Sequence, residues 1–202
     1  KIEICRRIYS SITHYMDKNN ISKLAEECGC HIPYGEVLQK GELPQKTHYP
    51  VITKTIMSTV GGWKKDVHIC KNEAELKDAY TNIQAHTLLV EEYIEKKNEL
   101  CLDGFSINGG EDVCIPYFTS YIRFYKNSYG HYMILKPFED QIVLNQVKSI
   151  LRKVKFEGIF SVEFIIDKND KLHFLEVNFR NSTWSYAFTV GGCNMPYLWA
   201  KS

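Results

Sequence analysis

Residues Ser161–Ser182 read SVEFIIDKNDKLHFLEVNFRNS, and the fold turns on how that stretch is paired. Two apolar-rich segments flank Lys168-Asn169-Asp170-Lys171, a polar cluster of the kind that reverses a β-hairpin. If the loop is those four residues, or Asn169-Asp170 at their centre, Asp167 lies opposite Leu172. Glu163 then stands across from Glu176, and Ser161 across from Asn178. Side chains alternate faces along a strand. Glu176, Asn178 and Arg180 therefore project to one side with Glu163 beside them, while His173 falls on the other side and reads as structural.

Like charges directly opposite each other destabilise a sheet unless something compensates. A hard divalent cation is the economical compensation, because it takes oxygen ligands from carboxylates and from an amide carbonyl. Magnesium in particular is shared between one or two protein carboxylates and substrate phosphates. The competing reading is a solvated hairpin face with Arg180 as its counter-charge.

The chain of 202 residues is long enough for one domain or two small lobes. A hydrophobic content of 44% with 24% charged residues is that of a globular protein. The net charge of +1 gives no general electrostatic case for nucleic acid or an anionic membrane as partner, so any phosphate binding must be local. Seven cysteines, odd in number and scattered through apolar segments, suit a reducing cytoplasm better than a disulfide framework. No apolar run approaches the length of a membrane span. Lys1 falls inside a helical pattern, which reads as an excised piece of a longer protein.

Taken in order, Ile2, Cys5, Tyr9, Ile12 and Met16 have helical spacing, and Ile21, Leu24, Ala25 and Cys28 resume it up to Gly29. Gly35–Leu38 and Tyr49–Lys54 read as strands. Ser58–Lys65 contains paired glycines followed by lysines, and such a loop either turns a hairpin or directs backbone N–H groups at a phosphate. Asn72 with Glu75 starts a helix whose buried stripe is Leu76, Ala79, Tyr80 and Ile83. Strands are expected at Thr87–Tyr93, Cys114–Tyr125 and His131–Leu135, the last two joined by a turn over Lys126–Gly130. Asp140–Lys155 is the clearest helix, with Val143, Val147, Ile150, Leu151 and Val154 on one face and Gly158 ending the unit. Trp184–Trp199 is expected to pack as core. This order favours an α+β protein with mostly antiparallel sheets.

Together these segments, from about Asp17 to Ala200, resemble the ATP-grasp superfamily, closest to its carbamoyl-phosphate-synthase-like and amino-acid-ligase-like members. The resemblance implies two lobes that clasp ATP: residues 1–33 as helices leading in from a missing N-terminal region, 34–90 as the small lobe and 91–202 as the large one. Lys18 lies in the entry segment, and Lys54 matches the lysine that contacts the α- and β-phosphates. Glu91, Glu92, Tyr93 and Ile94 match the hinge that meets adenine, and Glu99 the ribose acid. Glu163, Glu176 and Asn178 match the magnesium ligands, with manganese as an alternative ion. Arg180 matches the arginine that holds phosphate or the reacting acyl group, although Phe179 stands where the family's proline is usual.

The activity so implied is an ATP-dependent carboxylate–amine ligase, with Arg180 and Lys54 as its catalytic cations. A carboxylate or bicarbonate-like substrate would attack the γ-phosphate, and an amine would then displace phosphate from the acyl phosphate. Implied partners are ATP, a small carboxylate, an amine and the missing N-terminal domain of the same protein, with a homo-oligomer left open. The alternative is a nucleotide-binding module without chemistry of its own.

Overall fold

The computed structural model describes residues 12–57, 63–123 and 132–202. Helix α1 (Lys18–Glu27) precedes strands β1 (Gly35–Gln39), β2 (Val51–Thr55) and β3 (Ile69–Cys70), with a 3-10 turn at Trp63–Asp66. Helix α2 (Glu73–Asn82) and strands β4 (Thr87–Glu92), β5 (Lys96–Ile107), β6 (Asp112–Tyr121) and β7 (Met133–Pro137) follow. The chain closes with α3 (Gln141–Val154), β8 (Gly158–Asp167), β9 (Leu172–Asn178), α4 (Ser185–Val190) and α5 (Met195–Lys201). The strands form two sheets, ordered β1-β4-β2-β3 and β7-β6-β5-β8-β9, and every pairing is antiparallel. The α+β class read from the sequence is the one observed.

Two units carry these sheets. The smaller comprises residues 17–19 and 33–95. Its core sets Val51, Leu88 and Val90 of the sheet against Leu76, Ala79 and Tyr80 of α2, with Ile83 just beyond the helix. A helix as short as α2 is marginal alone. Burial of each large apolar side chain, about 1.5–3 kcal/mol, and a capping box hold it. Asn72 accepts from the Glu75 N–H at 2.9 Å while Glu75 accepts from the Lys71 N–H at 2.8 Å. The buried Asp66 carboxylate accepts from the N–H groups of Gln84 and Ala85 and so ties the turn after α2 to the 3-10 turn before β3.

In the larger unit, α3 lays Val143, Val147, Ile150, Leu151 and Val154 on one face of the five-stranded sheet, as its periodicity requires. They meet Leu100, Leu102, Phe160, Val162, Phe164, Phe174 and Val177, and Ile21, Leu24 and Ala25 of α1 complete the core. Asp140 caps α3 through Ile142 and Val143. The helix ends at Val154 because Lys155 takes the left-handed conformation at φ 56°, so Gly158 opens β8 instead of ending α3.

Residues 91–95 cluster with the smaller unit, because Glu91 and Glu92 are still paired in β4, while residues 20–32 cluster with the larger one. Three expectations need correction. Strand β5, central in its sheet, was not expected; its alternation of Glu99, Cys101 and Asp103 with Leu100 and Leu102 covers only five residues before Gly104 interrupts it. β7 runs Met133–Pro137 and so extends two residues past the expected end at Leu135, while His131 lies outside the described residues. Of the Trp184–Trp199 stretch only Phe188, Cys193 and Met195 are buried, whereas Trp184, Tyr186, Val190, Tyr197, Leu198 and Trp199 are exposed, since two short helices present only one face each. The candidate loop residues 58–62, the helical pattern up to residue 11 and the Lys126–Gly130 turn lie outside the described residues.

Candidate functional site

The hairpin of β8 and β9 places Glu163 opposite Glu176 and Ser161 opposite Asn178, by a route that strict alternation does not give. Pairing begins at Ile166 and Leu172, so Asp167–Lys171 forms the loop, longer by one residue than expected. The Asp167 carboxylate organises it, accepting from the N–H groups of Asn169 at 2.8 Å and Lys171 at 2.9 Å, and Asp170 supplies the left-handed turn at φ 63°. A β-bulge then leaves Leu175 without a cross-strand partner and restores the register that brings the two glutamates together. The bulge also reverses the phase of alternation. His173, paired with Ile165, therefore shares the face of Glu163 and Glu176 instead of lying opposite it.

Two transverse rows cross this face of the sheet. One runs Leu135, Thr119, Cys101, Glu163, Glu176; the next runs Pro137, Tyr117, Asp103, Ser161, Asn178. Just beyond Asp103 the β5–β6 register shifts, with Ile115 and Pro116 of β6 standing against Gly104 alone, before pairing resumes at Phe105 and Cys114. Gly104 permits it, because a Cβ there would sit 2.3 Å from the Cys114 carbonyl oxygen.

Polar contacts follow the rows. The Asn178 amide nitrogen donates to Glu163 Oε1 at 3.2 Å and to Glu176 Oε1 at 2.9 Å, so one amide bridges two facing carboxylates. Cys101 Sγ donates to Asp103 Oδ1 at 3.2 Å and lies 3.1 Å from Ser161 Oγ. Burial, and then the charge of Asp103, push the Cys101 thiol far up, which keeps it a protonated donor. Asp103 Oδ2 accepts from Ser182 and from Ser185, the latter at 3.2 Å. His173 Nε2 lies 3.1 Å from Asp167 Oδ2, and this bond, with the Lys171 N–H, holds the Asp167 carboxyl below its ordinary range. The sequence reading missed Asp103 and Cys101 along with β5; the alternation Glu99, Cys101, Asp103 against Leu100, Leu102 was the available signal.

The donor set suits a hard divalent cation. Among the described residues no group of three or more His, Cys, Asp and Glu side chains could hold a metal. Two carboxylates and an amide match an ion that takes its remaining ligands from water and a bound phosphate. Asn178 fits that role after a half-turn of its amide, which exchanges the donating nitrogen for the acceptor Oδ1.

The smaller unit gathers a second pair. Lys54 Nζ donates to Glu91 Oε2, and both side chains are largely buried. Gly35, opposite Glu91 on β1, leaves room for it: a Cβ at Gly35 would stand 2.7 Å from Glu91 Cγ. Glu92, Tyr93 and Ile94 are half-buried; the Glu92 N–H donates to the Tyr34 carbonyl and the Tyr93 N–H to the Pro50 carbonyl, each at 2.8 Å. Lys18 begins α1 and donates its N–H to Ile56. In the larger unit Glu99 accepts from Lys96 at 2.7 Å. Arg180 lies past the end of β9, exposed, with Nη1 donating to the Asn181 carbonyl at 3.0 Å.

Residues 24–196 match the family model of the ATP-grasp domain. The N5-carboxyaminoimidazole ribonucleotide synthase of Staphylococcus aureus is 29% identical over 131 residues, 64% of this chain and 34% of that protein. Among solved structures, a biotin carboxylase complex with β,γ-ATP from Campylobacter jejuni aligns with a TM-score of 0.72 at 19% identity, over 95% of this chain and 46% of that one. An L-amino acid ligase from Bacillus licheniformis aligns with a TM-score of 0.69 at 16% identity, over 92% and 46% respectively. At such identities the two structures speak to the fold alone. The chain spans about a third of the curated relative and about half of each structural one.

Proposed function

Since the chain belongs to the ATP-grasp family, we propose that it is the MgATP-binding part of an ATP-dependent ligase that joins a carboxylate to an amine. The observation that carries this reading is the Asn178 amide shared by Glu163 and Glu176, which gathers two facing carboxylates and an amide into a donor set suited to a hard divalent cation. The curated relative is a synthase of a carboxyamino compound and one structural neighbour an amino acid ligase, which supports carboxylate activation as the chemistry.

In this reading Glu163, Glu176 and Asn178 would hold magnesium, which would supply charge neutralisation to the polyphosphate. Lys54 and Lys18 contact phosphate oxygens. The buried Glu91 carboxylate restrains the Lys54 ammonium, so less side-chain freedom is lost when a phosphate arrives. Glu91, Glu92, Tyr93 and Ile94 receive adenine, with Glu99 at the ribose. A substrate carboxylate oxygen attacks the γ-phosphorus, the bond to the β,γ-bridging oxygen breaks, and ADP leaves. An amine then attacks the acyl carbon and expels phosphate. Arg180 stabilises the transferring group, and no nucleophilic side chain takes part. The six described cysteines are free, which supports a reducing, cytoplasmic setting. Among the described residues no helix is long and apolar enough to cross a membrane.

The test is to incubate the protein with MgATP, hydroxylamine and a panel of small carboxylates. Hydroxamate formed together with ADP is the expected result. MgATP bound without ADP release across the panel would make the chain a nucleotide-binding module instead.

A further inference from the structure

Asp103 carries a fully buried carboxylate that the proposed chemistry leaves unused. A buried carboxylate without a cation is costly. Among the described residues its bonds come only from neutral groups, the Cys101 thiol and the hydroxyls of Ser182 and Ser185. It lies in the row beside Glu163 and Glu176, and two of its three donors belong to the segment that follows β9.

We propose that Asp103 is a positioning residue, latching Ser182 and Ser185 to the sheet and thereby fixing where Arg180 is held relative to the Glu163, Glu176 and Asn178 patch. This deepens the ligase reading and rests on it. The segment is bracketed on both sides of Arg180. Before it, Phe179 packs on Phe156 with ring centroids 4.9 Å apart. After it, Ser182 Oγ donates its single proton to Asp103 while accepting the Trp184 N–H at 3.0 Å, which closes a turn upon the buried charge. Ser185, the first residue of α4, reaches the same carboxylate oxygen and pins the helix start as well. Arg180 itself is exposed and, among the described residues, its side chain donates to the neighbouring Asn181 carbonyl, so these anchors set where its backbone lies.

Dissociation constants of MgATP and MgADP for wild type, Arg180→Ala, Ser182→Ala/Ser185→Ala and the triple variant test the latch. Arg180 serves the γ-phosphoryl group, so Arg180→Ala should reduce the preference for ATP over ADP. Ser182→Ala/Ser185→Ala should reduce it at least about threefold, and the triple variant no further than Arg180→Ala alone, the non-additivity of groups acting as a unit. Asp103→Asn, of the same shape, should act likewise and replaces the double variant if that fails to fold. A latch that is merely structural would lower the melting temperature and weaken both nucleotides equally, and that outcome overturns the proposal. So does an unchanged preference in Arg180→Ala. If wild type binds neither nucleotide, the ligase reading falls first and takes this inference with it.

Discussion

Glu163 and Glu176 face each other across β8 and β9, and the Asn178 amide donates to one oxygen of each. An amide in that position offsets part of the repulsion without removing either charge. In the proposed reading a divalent cation completes the pair.

Glu176→Gln should uncouple stability from metal. With chelator present, loss of one like charge leaves the variant as stable as wild type or more so, by roughly 0.2–1 kcal/mol. Added magnesium and nucleotide should raise the melting temperature of wild type and leave the variant's unchanged, which thermal unfolding with and without chelator would measure.

Gly35→Ala should act on nucleotide binding through Glu91. The new Cβ would need the space 2.7 Å from Glu91 Cγ, so the carboxylate shifts and releases Lys54. MgATP affinity should drop by about 1 kcal/mol, the net worth of one hydrogen bond, while the hairpin of the larger unit keeps its structure. Titration of the variant with MgATP checks the first part and amide chemical shifts check the second.

Gly104→Ala should destabilise the larger unit by more than about 2 kcal/mol, because its Cβ would lie 2.3 Å from the Cys114 carbonyl oxygen, backbone that cannot swing aside. Urea unfolding should report a lower midpoint with an unchanged slope.

The acid limb of stability should depend on Glu36. Burial raises its pKa, but the Thr47 hydroxyl and the N–H groups of Lys46, Gln45 and Thr47 outweigh that and bring it down to about 2. A carboxyl depressed in the folded state contributes stability that is present above its unfolded pKa, near 4.5, and is lost as pH falls toward 2. Glu36→Gln should cost roughly 1 kcal/mol at neutral pH after solvent screening and flatten the decline between those two values.

Much of this was legible in residue order. The buried stripe of α3, the Asn72 cap and the strand that carries Lys54 follow from periodicity and capping chemistry. The Glu163–Glu176 pairing was reached through two omissions that cancel, a loop one residue longer and a bulge at Leu175. His173 shows where they do not cancel, since a bulge has no signature in alternation and moves every residue before it to the other face. β5 is hard to read because its row opposite the Leu100 and Leu102 core face is Glu99, Cys101 and Asp103, and the alternation of the two rows is short. Asp103 was hidden with it, its partners Ser182 and Ser185 being joined to it only by the fold.

Calorimetric titration of MgATP into this chain and into Glu176→Ala tests the central claim most directly. Wild type should bind with an affinity that vanishes when chelator removes the metal, and Glu176→Ala, folded to the same extent by circular dichroism, should show no metal-dependent binding. Equal MgATP affinity in the two proteins would contradict the assignment of the facing glutamates to a metal-nucleotide site.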